Sequence, residues 1–247
     1  MKTILITGCS SGFGLETARS FLARGWKVIA TMRNPREDLL PADENLRVLA
    51  LDVTDAGSIR RLAETVGPID VLVNNAGIGA LNALEGLDLQ VVRELFETNA
   101  IGTIAVTQAF LPQFRERKEG VILNVTSSVT LKSLPLLAVY TGSKAAVNAF
   151  TECLALELEP FGIRVGLILP GRSPETRFGE NARSRMGEFP EPYLPMVQAV
   201  FAQWQASADP VTQASDVAEA IWRAATDPAC PRRLPAGADA VALSAAG

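Results

Sequence analysis

Histidine is absent from this chain, and the absence removes whole classes of chemistry. Without an imidazole, neither a Ser-His-Asp nor a Cys-His nucleophile can be assembled. With only three cysteines beside it, a zinc site lacks its ordinary ligands, so no metal is expected. Those cysteines (Cys9, Cys153, Cys230) are odd in number, widely spaced and never in a C-x-x-C pair, which points to a reduced, cytoplasmic protein. Long hydrophobic runs are missing too, and with them any expected transmembrane helix or membrane partner. Met1 to Thr7 is apolar but runs straight into a Gly/Ser loop, too short for a signal-peptide core. The net charge of −4 is spread among interspersed acids and bases, so no basic surface for nucleic acid is expected. Proton chemistry is left to Tyr, Lys, Asp, Glu or Cys, and the chain has just two tyrosines.

What is present is a well-filled core. At 247 residues and 48% apolar content, one domain over 1–247 is the default. Thr3 to Thr7 reads as a strand, followed by a glycine loop, a helix over Leu15–Arg24 and a strand over Lys27–Thr31. That is a βαβ unit. The alternation continues with strands at Leu46–Val53, Asp70–Asn74, Val121–Val125 and Arg164–Leu169. Helices are expected over Asp55–Val66, from Asp88 to about Arg117 as two pieces meeting near Asn99 to Gly102, and over Ala138–Glu159. Strands apolar throughout, alternating with helices, predict an α/β fold: one Rossmann-type, doubly wound parallel sheet with helices on both faces. After Pro170-Gly171 the composition shifts. Residues 172–208, with a short helix near Met196–Gln205, read as a lid at the carboxyl ends of the strands, where open α/β sheets bind ligands. A last helix is expected over Gln213–Thr226, followed by a short tail.

Tyr140 and Lys144 lie four apart in an Ala-rich run, so a helix sets them one turn apart on one face. An ammonium close to a phenol favours phenolate and lowers the phenol pKa, making Tyr140 a candidate acid/base. Ser127, just past the strand Val121–Val125, is placed to hydrogen-bond a substrate oxygen beside that phenol.

Gly8, Gly12 and Gly14 form G-x-x-x-G-x-G between strand and helix. Such a loop lets the backbone turn tightly and approach a pyrophosphate, which the N–H groups at the helix start then hold. At the end of the second strand stands Met32, where an acidic residue would favour NAD, and Arg33 follows. A guanidinium suits a 2′-phosphate, so the sequence predicts NADP(H), with a further hydroxyl contact from Ser10.

Thr7-Gly8 through Gly14, Asn74-Asn75-Ala76-Gly77, Asn99, Ser127, Tyr140 and Lys144 together resemble the classical short-chain dehydrogenase/reductase family in order and spacing. The likeness covers residues 3–171 well and the remainder loosely. Gly8 to Gly14 together with Ala30 to Asn34 is also similar to the hydroxysteroid and retinoid dehydrogenase branch. The resemblance implies that Tyr140 is the general acid/base, that Ser127 orients and polarises the carbonyl, and that Lys144 lowers the Tyr140 pKa and bonds the nicotinamide ribose. It implies that Asn99 holds a water linking Lys144 to a proton relay. Cofactor contacts are implied at Gly8, Ser10, Ser11, Gly12, Phe13, Gly14, Arg33, Asp52, Val53, Asn75, Ala76, Gly77, Tyr140, Lys144, Pro170, Gly171 and Thr176. A catalytically silent NADP-binding regulator on the same fold is the alternative; it would not need Ser127, Tyr140 and Lys144 together. An extended-type sugar epimerase usually needs a longer C-terminal region.

Two departures concern the substrate side. Pro170-Gly171-Arg172-Ser173-Pro174-Glu175-Thr176 is longer than the family's usual nicotinamide segment, and Thr130 stands where a glycine is common. Expected pocket residues are Ile78, Leu81, Leu131, Leu134 and Leu136, together with Phe178, Met186, Phe189, Tyr193, Met196, Val200 and Trp204 of the lid. They suit a hydrophobic ketone or secondary alcohol. Arg172, Arg177, Arg183 and Arg185 either recognise an anionic group or pair with Glu175, Glu180, Glu188 and Glu191. The helix over Ala138–Glu159 is apolar around much of its circumference and needs cover beyond its own sheet. The resemblance implies that a second copy provides it, as a homodimer or homotetramer.

Overall fold

Period-2 alternation inside each strand divides the molecule into two cores. In β1 (Thr3–Ile6), Ile4 and Ile6 pack to one side and Leu5 to the other. The same split places Val28, Ala30 and Met32 of β2 (Lys27–Met32) opposite Ile29, and Val71 and Val73 of β4 (Val71–Asn74) opposite Leu72. It is the mark of strands covered on both faces. A computed structural model of the chain describes residues 1–207 and 210–245. Ala208, the last residue of the expected lid, lies outside them.

With β3 (Leu46–Ala50), β5 (Gly120–Val125), β6 (Ile163–Pro170) and β7 (Arg233–Ala236), the strands form one sheet in the order β3-β2-β1-β4-β5-β6-β7. Every pairing is parallel. One face is covered by α1 (Gly12–Ala23) and α8 (Ala214–Thr226), with Phe21, Trp26 and Trp222 meeting edge to face at centroid distances of 5.1 to 5.8 Å. The other is covered by α2 (Ala56–Val66), α4 (Gly102–Arg117) and α5 (Ala138–Leu158), through Ile59, Leu62, Phe110, Phe114 and Leu154. Phe21, Phe110 and Phe114 are fully buried, each stabilising the fold by about 2–3 kcal/mol of apolar transfer.

Helix starts follow their capping residues. Asp55 accepts Gly57 N–H at 2.8 Å ahead of α2, and Asp88 accepts Gln90 N–H at 2.7 Å ahead of α3 (Leu89–Phe96). Helices α3 and α4 are joined without a break by a π-type turn over Glu97–Ile101, where the sequence predicts two helices meeting. At this bend Gly102 allows the chain to press on Val53: a Cβ there would lie 2.9 Å from Val53 Cγ2.

Three elements go beyond the sequence reading. Strand β7 contains Pro235, tolerated because β7 is the sheet's edge. Helix α9 (Ala238–Ala245) follows it, and α6 (Phe178–Arg183) precedes α7 (Leu194–Ala206) in the lid. Among the described residues no helix is long and apolar enough to cross a membrane.

The strand order reverses between β1 and β4, which opens a crevice at their carboxyl ends. The loops after β1, β4 and β5 converge there.

Candidate active site

The loop after β1 is built against the loop after β4. Thr7 Oγ1 accepts the N–H groups of Asn75 and Ala76 at 3.0 and 2.9 Å, and Asn75 Nδ2 donates to Thr7 O and Gly8 O at 2.9 and 3.2 Å. A Cβ on Gly14 would lie 2.5 Å from Asn75 Nδ2, and one on Gly8 would lie 2.8 Å from Ala76 Cα. Gly8 and Gly14 are therefore demanded by protein packing, whereas the sequence reading assigned them to the pyrophosphate. Gly12, at φ +57°, is the glycine left facing outward, against the Thr176 methyl. Ser11 precedes α1 but makes no side-chain cap, so the first N–H groups of the helix are not satisfied by it. Ser10 is exposed; Phe13 packs its ring on the core, and its carbonyl accepts the Thr17 hydroxyl at 2.7 Å.

At the end of β2, Arg33 is exposed and makes no ion pair among the described residues. Asp52 accepts the N–H and hydroxyl of Thr54, and its carboxyl is held below the ordinary value. The Thr54 N–H is the largest cause, burial opposes it, and the Arg33 charge adds a smaller push in the same direction. Val53 is buried beside it. An unpaired guanidinium, a free helix start and an outward glycine form a donor set that fits a phosphorylated dinucleotide.

Ser127 leaves β5 in extended backbone, and its Oγ accepts Val129 N–H at 3.3 Å. Thr130 anchors this turn, donating its hydroxyl to Ser127 O at 2.8 Å and accepting Asn148 Nδ2 of α5 at 2.9 Å. The departure from glycine at Thr130 thus ties the serine's turn to the helix that carries Tyr140. On α5, Tyr140 is buried, and the Ser127 side chain is near enough to act on its phenol. Lys144 Nζ donates to Val125 O at 3.1 Å. A Cβ on Gly77 would lie 3.1 Å from Lys144 Nζ and 3.2 Å from Asn99 Oδ1, so the absence of a side chain there leaves both groups their place.

One electrostatic expectation is reversed. The sequence reading has the Lys144 ammonium lowering the Tyr140 pKa. Here burial pushes the phenol up to about 12, against the Ser127 side chain, which draws it down. Burial also brings Lys144 down to about 8. Desolvation is the leading cause at both groups.

Asn99 sits in the π-type turn with both amide hydrogens engaged, by Ile78 O at 2.9 Å and Ser143 Oγ at 3.0 Å. Its Oδ1 accepts Ile78 N–H at 2.8 Å and keeps one lone pair. Ser143 Oγ in turn donates to Tyr140 O at 2.7 Å, which locks the bend to α5. A buried polar chain carries the frame further: Asn74 Nδ2 donates to Thr107 Oγ1 and Asn124 Oδ1 at 2.9 and 2.8 Å, and Asn124 Nδ2 donates to Thr151 Oγ1 at 2.8 Å. Their partners lie 27 to 50 residues away, out of reach of any local pattern.

The lid lies over the site. Phe178 packs its ring 5.5 Å from that of Tyr140 and against Gly79, where a Cβ would lie 2.6 Å from Phe178 Cζ. Leu81, Leu136 and Val200 form one apolar cluster with Met186, Phe189, Tyr193 and Trp204, while Ile78 joins Tyr140 in another. Met196, expected inside, turns outward, and Val197 takes the inward place. Leu131 and Leu134 are half-buried and join neither cluster. Leu136 is held at φ +66°, a strained value for leucine, with its carbonyl fixed by Asn82 N–H at 3.0 Å. Of the four lid arginines, Arg177 alone pairs with a glutamate among the described residues, Glu180 at 3.2 Å. Pro170 pairs with Ala236 at the end of β6, and Gly171 N–H donates to Ala236 O at 3.3 Å.

Comparisons with known proteins identify the chain's relatives. The family described as short chain dehydrogenase matches residues 2–187. An uncharacterized oxidoreductase, YusZ, of Bacillus subtilis is 37% identical over 91% of this chain and 85% of its own. A 3-ketodihydrosphingosine reductase of Bacteroides thetaiotaomicron is 40% identical over 69% of this chain, which spans 63% of that relative's length. Among solved structures, a short-chain dehydrogenase from Streptomyces avermitilis superposes with TM-score 0.85 at 33% identity, covering 99% of this chain and 91% of that one. The closed form of a serine dehydrogenase complexed with NADP+ does so with TM-score 0.80 at 28% identity, covering 95% and 94%.

Proposed function

This chain belongs to the short-chain dehydrogenase family, and from that premise we propose that it is an NADP(H)-dependent carbonyl reductase or alcohol dehydrogenase acting on a hydrophobic ketone and its secondary alcohol. The observation that carries the reading is the meeting of the buried Tyr140, drawn down in pKa by Ser127, with the buried Lys144 one turn along α5, beside the crevice formed by the loops after β1 and β4. One domain serves both binding and catalysis.

The dinucleotide would be held by Gly12, the start of α1 with Ser10 and Ser11, Arg33, which suits a 2′-phosphate, and Asp52, Val53, Asn75, Ala76 and Gly77. When bound, its nicotinamide supplies or accepts the hydride. The NADP+ complex of the similar serine dehydrogenase supports the same cofactor here. Pro170, Gly171 and Thr176 border the nicotinamide end.

The protein's own part is proton chemistry and positioning. Tyr140, neutral at pH 7, donates its phenolic proton to the substrate oxygen as negative charge develops there, and in the reverse direction takes one back. Ser127 orients that oxygen with its hydroxyl. Lys144, charged below about pH 8, stabilises the phenolate left behind and bonds the nicotinamide ribose. Asn99 contributes its remaining Oδ1 lone pair, beside Gly77 and Lys144, to a water relay that restores the proton. The apolar wall of Leu81, Leu136, Val197, Val200 and Phe189 suits an aryl or alicyclic group.

The protein works as a homodimer or homotetramer. Ala145, Ala149, Cys153 and Leu156 lie exposed along one stripe of α5, with Ile101 and Ile104 exposed on the neighbouring bend and helix. Its three free cysteines suit a reducing, cytoplasmic setting.

A panel of aryl and alicyclic ketones, followed by loss of NADPH absorbance, tests the activity and its preference over NADH. Tyr140→Phe should keep NADPH binding and reduce turnover by about 10²–10⁴-fold. A protein that turns over no carbonyl, or prefers NADH, contradicts the proposal; a silent binder would be indifferent to Tyr140→Phe.

A further inference from the structure

The last helix of the described chain reaches back to the frame of the site through a single carboxylate. Asp239 lies in the first turn of α9. Its Oδ2 accepts the backbone N–H of Arg172 at 2.6 Å, and its Oδ1 accepts the Thr212 hydroxyl at 2.6 Å. Arg172 follows the end of β6 and Thr212 stands just before α8, so these two residues are the ends of the arm that runs over the site. The ends are also joined directly. Thr212 N–H donates to Arg172 O at 2.8 Å, and Gly171 N–H donates to Thr212 Oγ1 at 2.9 Å.

No space is left at this junction. Thr212 is fully buried, a Cβ on Gly171 would overlap the Asp239 carboxylate, and one on Gly237 would overlap Thr212. The Thr212 hydroxyl has one hydrogen to give, with Ala236 O at 2.9 Å as its other acceptor, and the charged carboxylate is the stronger of the two. Further along, the arm meets the site through apolar contacts of Thr176 on Gly12 and Phe178 on Tyr140. Those are the places a dinucleotide and a carbonyl substrate need. The ends are pinned by oriented hydrogen bonds, as is the middle, where Asn82 Nδ2 donates to Met186 O and to Glu188 O. The stretch 176–178 over the catalytic groups rests instead on contacts that can be exchanged for ligand.

We propose that Asp239 is a positioning residue that pins both ends of the arm at one point, so that residues 173–183 move over Tyr140 about a fixed hinge while Pro170-Gly171 keep their place and Asn82 holds the segment at Met186 and Glu188. The kinetic consequence rests on the hydride-transfer reading of the site, whereas the hinge itself does not.

Asp239→Ala and Thr212→Val break the junction from its two sides. Asp239→Asn can rebuild it: Oδ1 takes the Arg172 N–H, and Nδ2 donates to Thr212 Oγ1, whose hydrogen turns to Ala236 O. Hydrogen–deuterium exchange of the free protein reads the hinge. Asp239→Ala and Thr212→Val should speed exchange at residues 171–183 by roughly tenfold relative to β1, β4 and β5, and Asp239→Asn should leave it near wild type. With a ketone that the wild-type protein reduces, KM should rise by about tenfold in the two disrupting variants and return in Asp239→Asn. Exchange that rises equally throughout the chain, or not at all in the arm, would overturn the hinge. If the wild-type protein reduces no carbonyl, the reading of the site fails, and exchange alone still decides the role of Asp239.

Discussion

Lys144 is a buried cation whose one hydrogen-bond partner among the described residues is a carbonyl, Val125 O. Its pKa falls from 10.5 to about 8 through burial, so the folded protein gives up this proton while the unfolded chain still holds it. Stability from this group therefore rises with pH across about 8 to 10.5, and below that window the buried charge is destabilising. Tyr140 acts in the opposite sense: its raised pKa means stability is lost as pH climbs from 10 towards about 12. Lys144→Met should thus be more stable than wild type at neutral pH, by on the order of 3 kcal/mol, and nearly inactive. Thermal unfolding across pH checks this, and an unchanged or lower Tm at pH 7 would show that the charge is not penalised. Tyr140, Lys144 and Ser127 were legible from residue type and spacing, because one helical turn and one strand end suffice to place them. Thr130, Asn82 and Asp239 were not, since each acts through a partner that only folding brings near. The direction of the Tyr140 shift was also missed, because burial is not a property of four residues.

At the scale of elements, α6 decides how much of the site is open. Its first residue, Phe178, covers Tyr140 and fills the notch left by Gly79. Phe178→Ala should raise kcat/KM for a bulky aryl ketone about tenfold relative to a small aliphatic one, within the range that pocket size usually governs. Gly79→Ala should act in the same direction by displacing the ring, since its methyl would meet Cζ and Cε1. Equal ratios in both variants and wild type would remove Phe178 from the substrate path. The helix was invisible in sequence because a six-residue turn rich in Arg, Glu and Gly carries no usable periodicity. The long helices α2, α4, α5 and α8 were readable to within a few residues, because each has a cap, a breaker or a clear apolar face. Strand β7 escaped notice for the opposite reason: Arg232, Arg233 and Pro235 look unlike a strand, and the sheet edge is what admits them.

For the molecule as a whole, the unresolved balance is between covered and uncovered apolar surface. Leu156 is 63% exposed and Ile101 50% exposed on the α4–α5 side, next to cores whose other large residues are closed. Pairing with a second copy would bury them. Sedimentation of the wild-type protein should show a dimer or tetramer, and Leu156→Glu should shift it to smaller species without lowering secondary structure. A wild-type monomer would refute the pairing. By itself the sequence determined the doubly wound sheet, the glycine loop, the Tyr140–Lys144 pair and the likeness to dehydrogenases, because these rest on alternation, helical spacing and residue chemistry within short stretches. Tertiary structure alone decided that Gly8 and Gly14 serve Asn75 and Ala76, that Phe178 rests on Tyr140, and that Asp239 joins the ends of the arm. Those facts depend on atoms brought within a few ångströms across long sequence separations, where no local pattern carries the information.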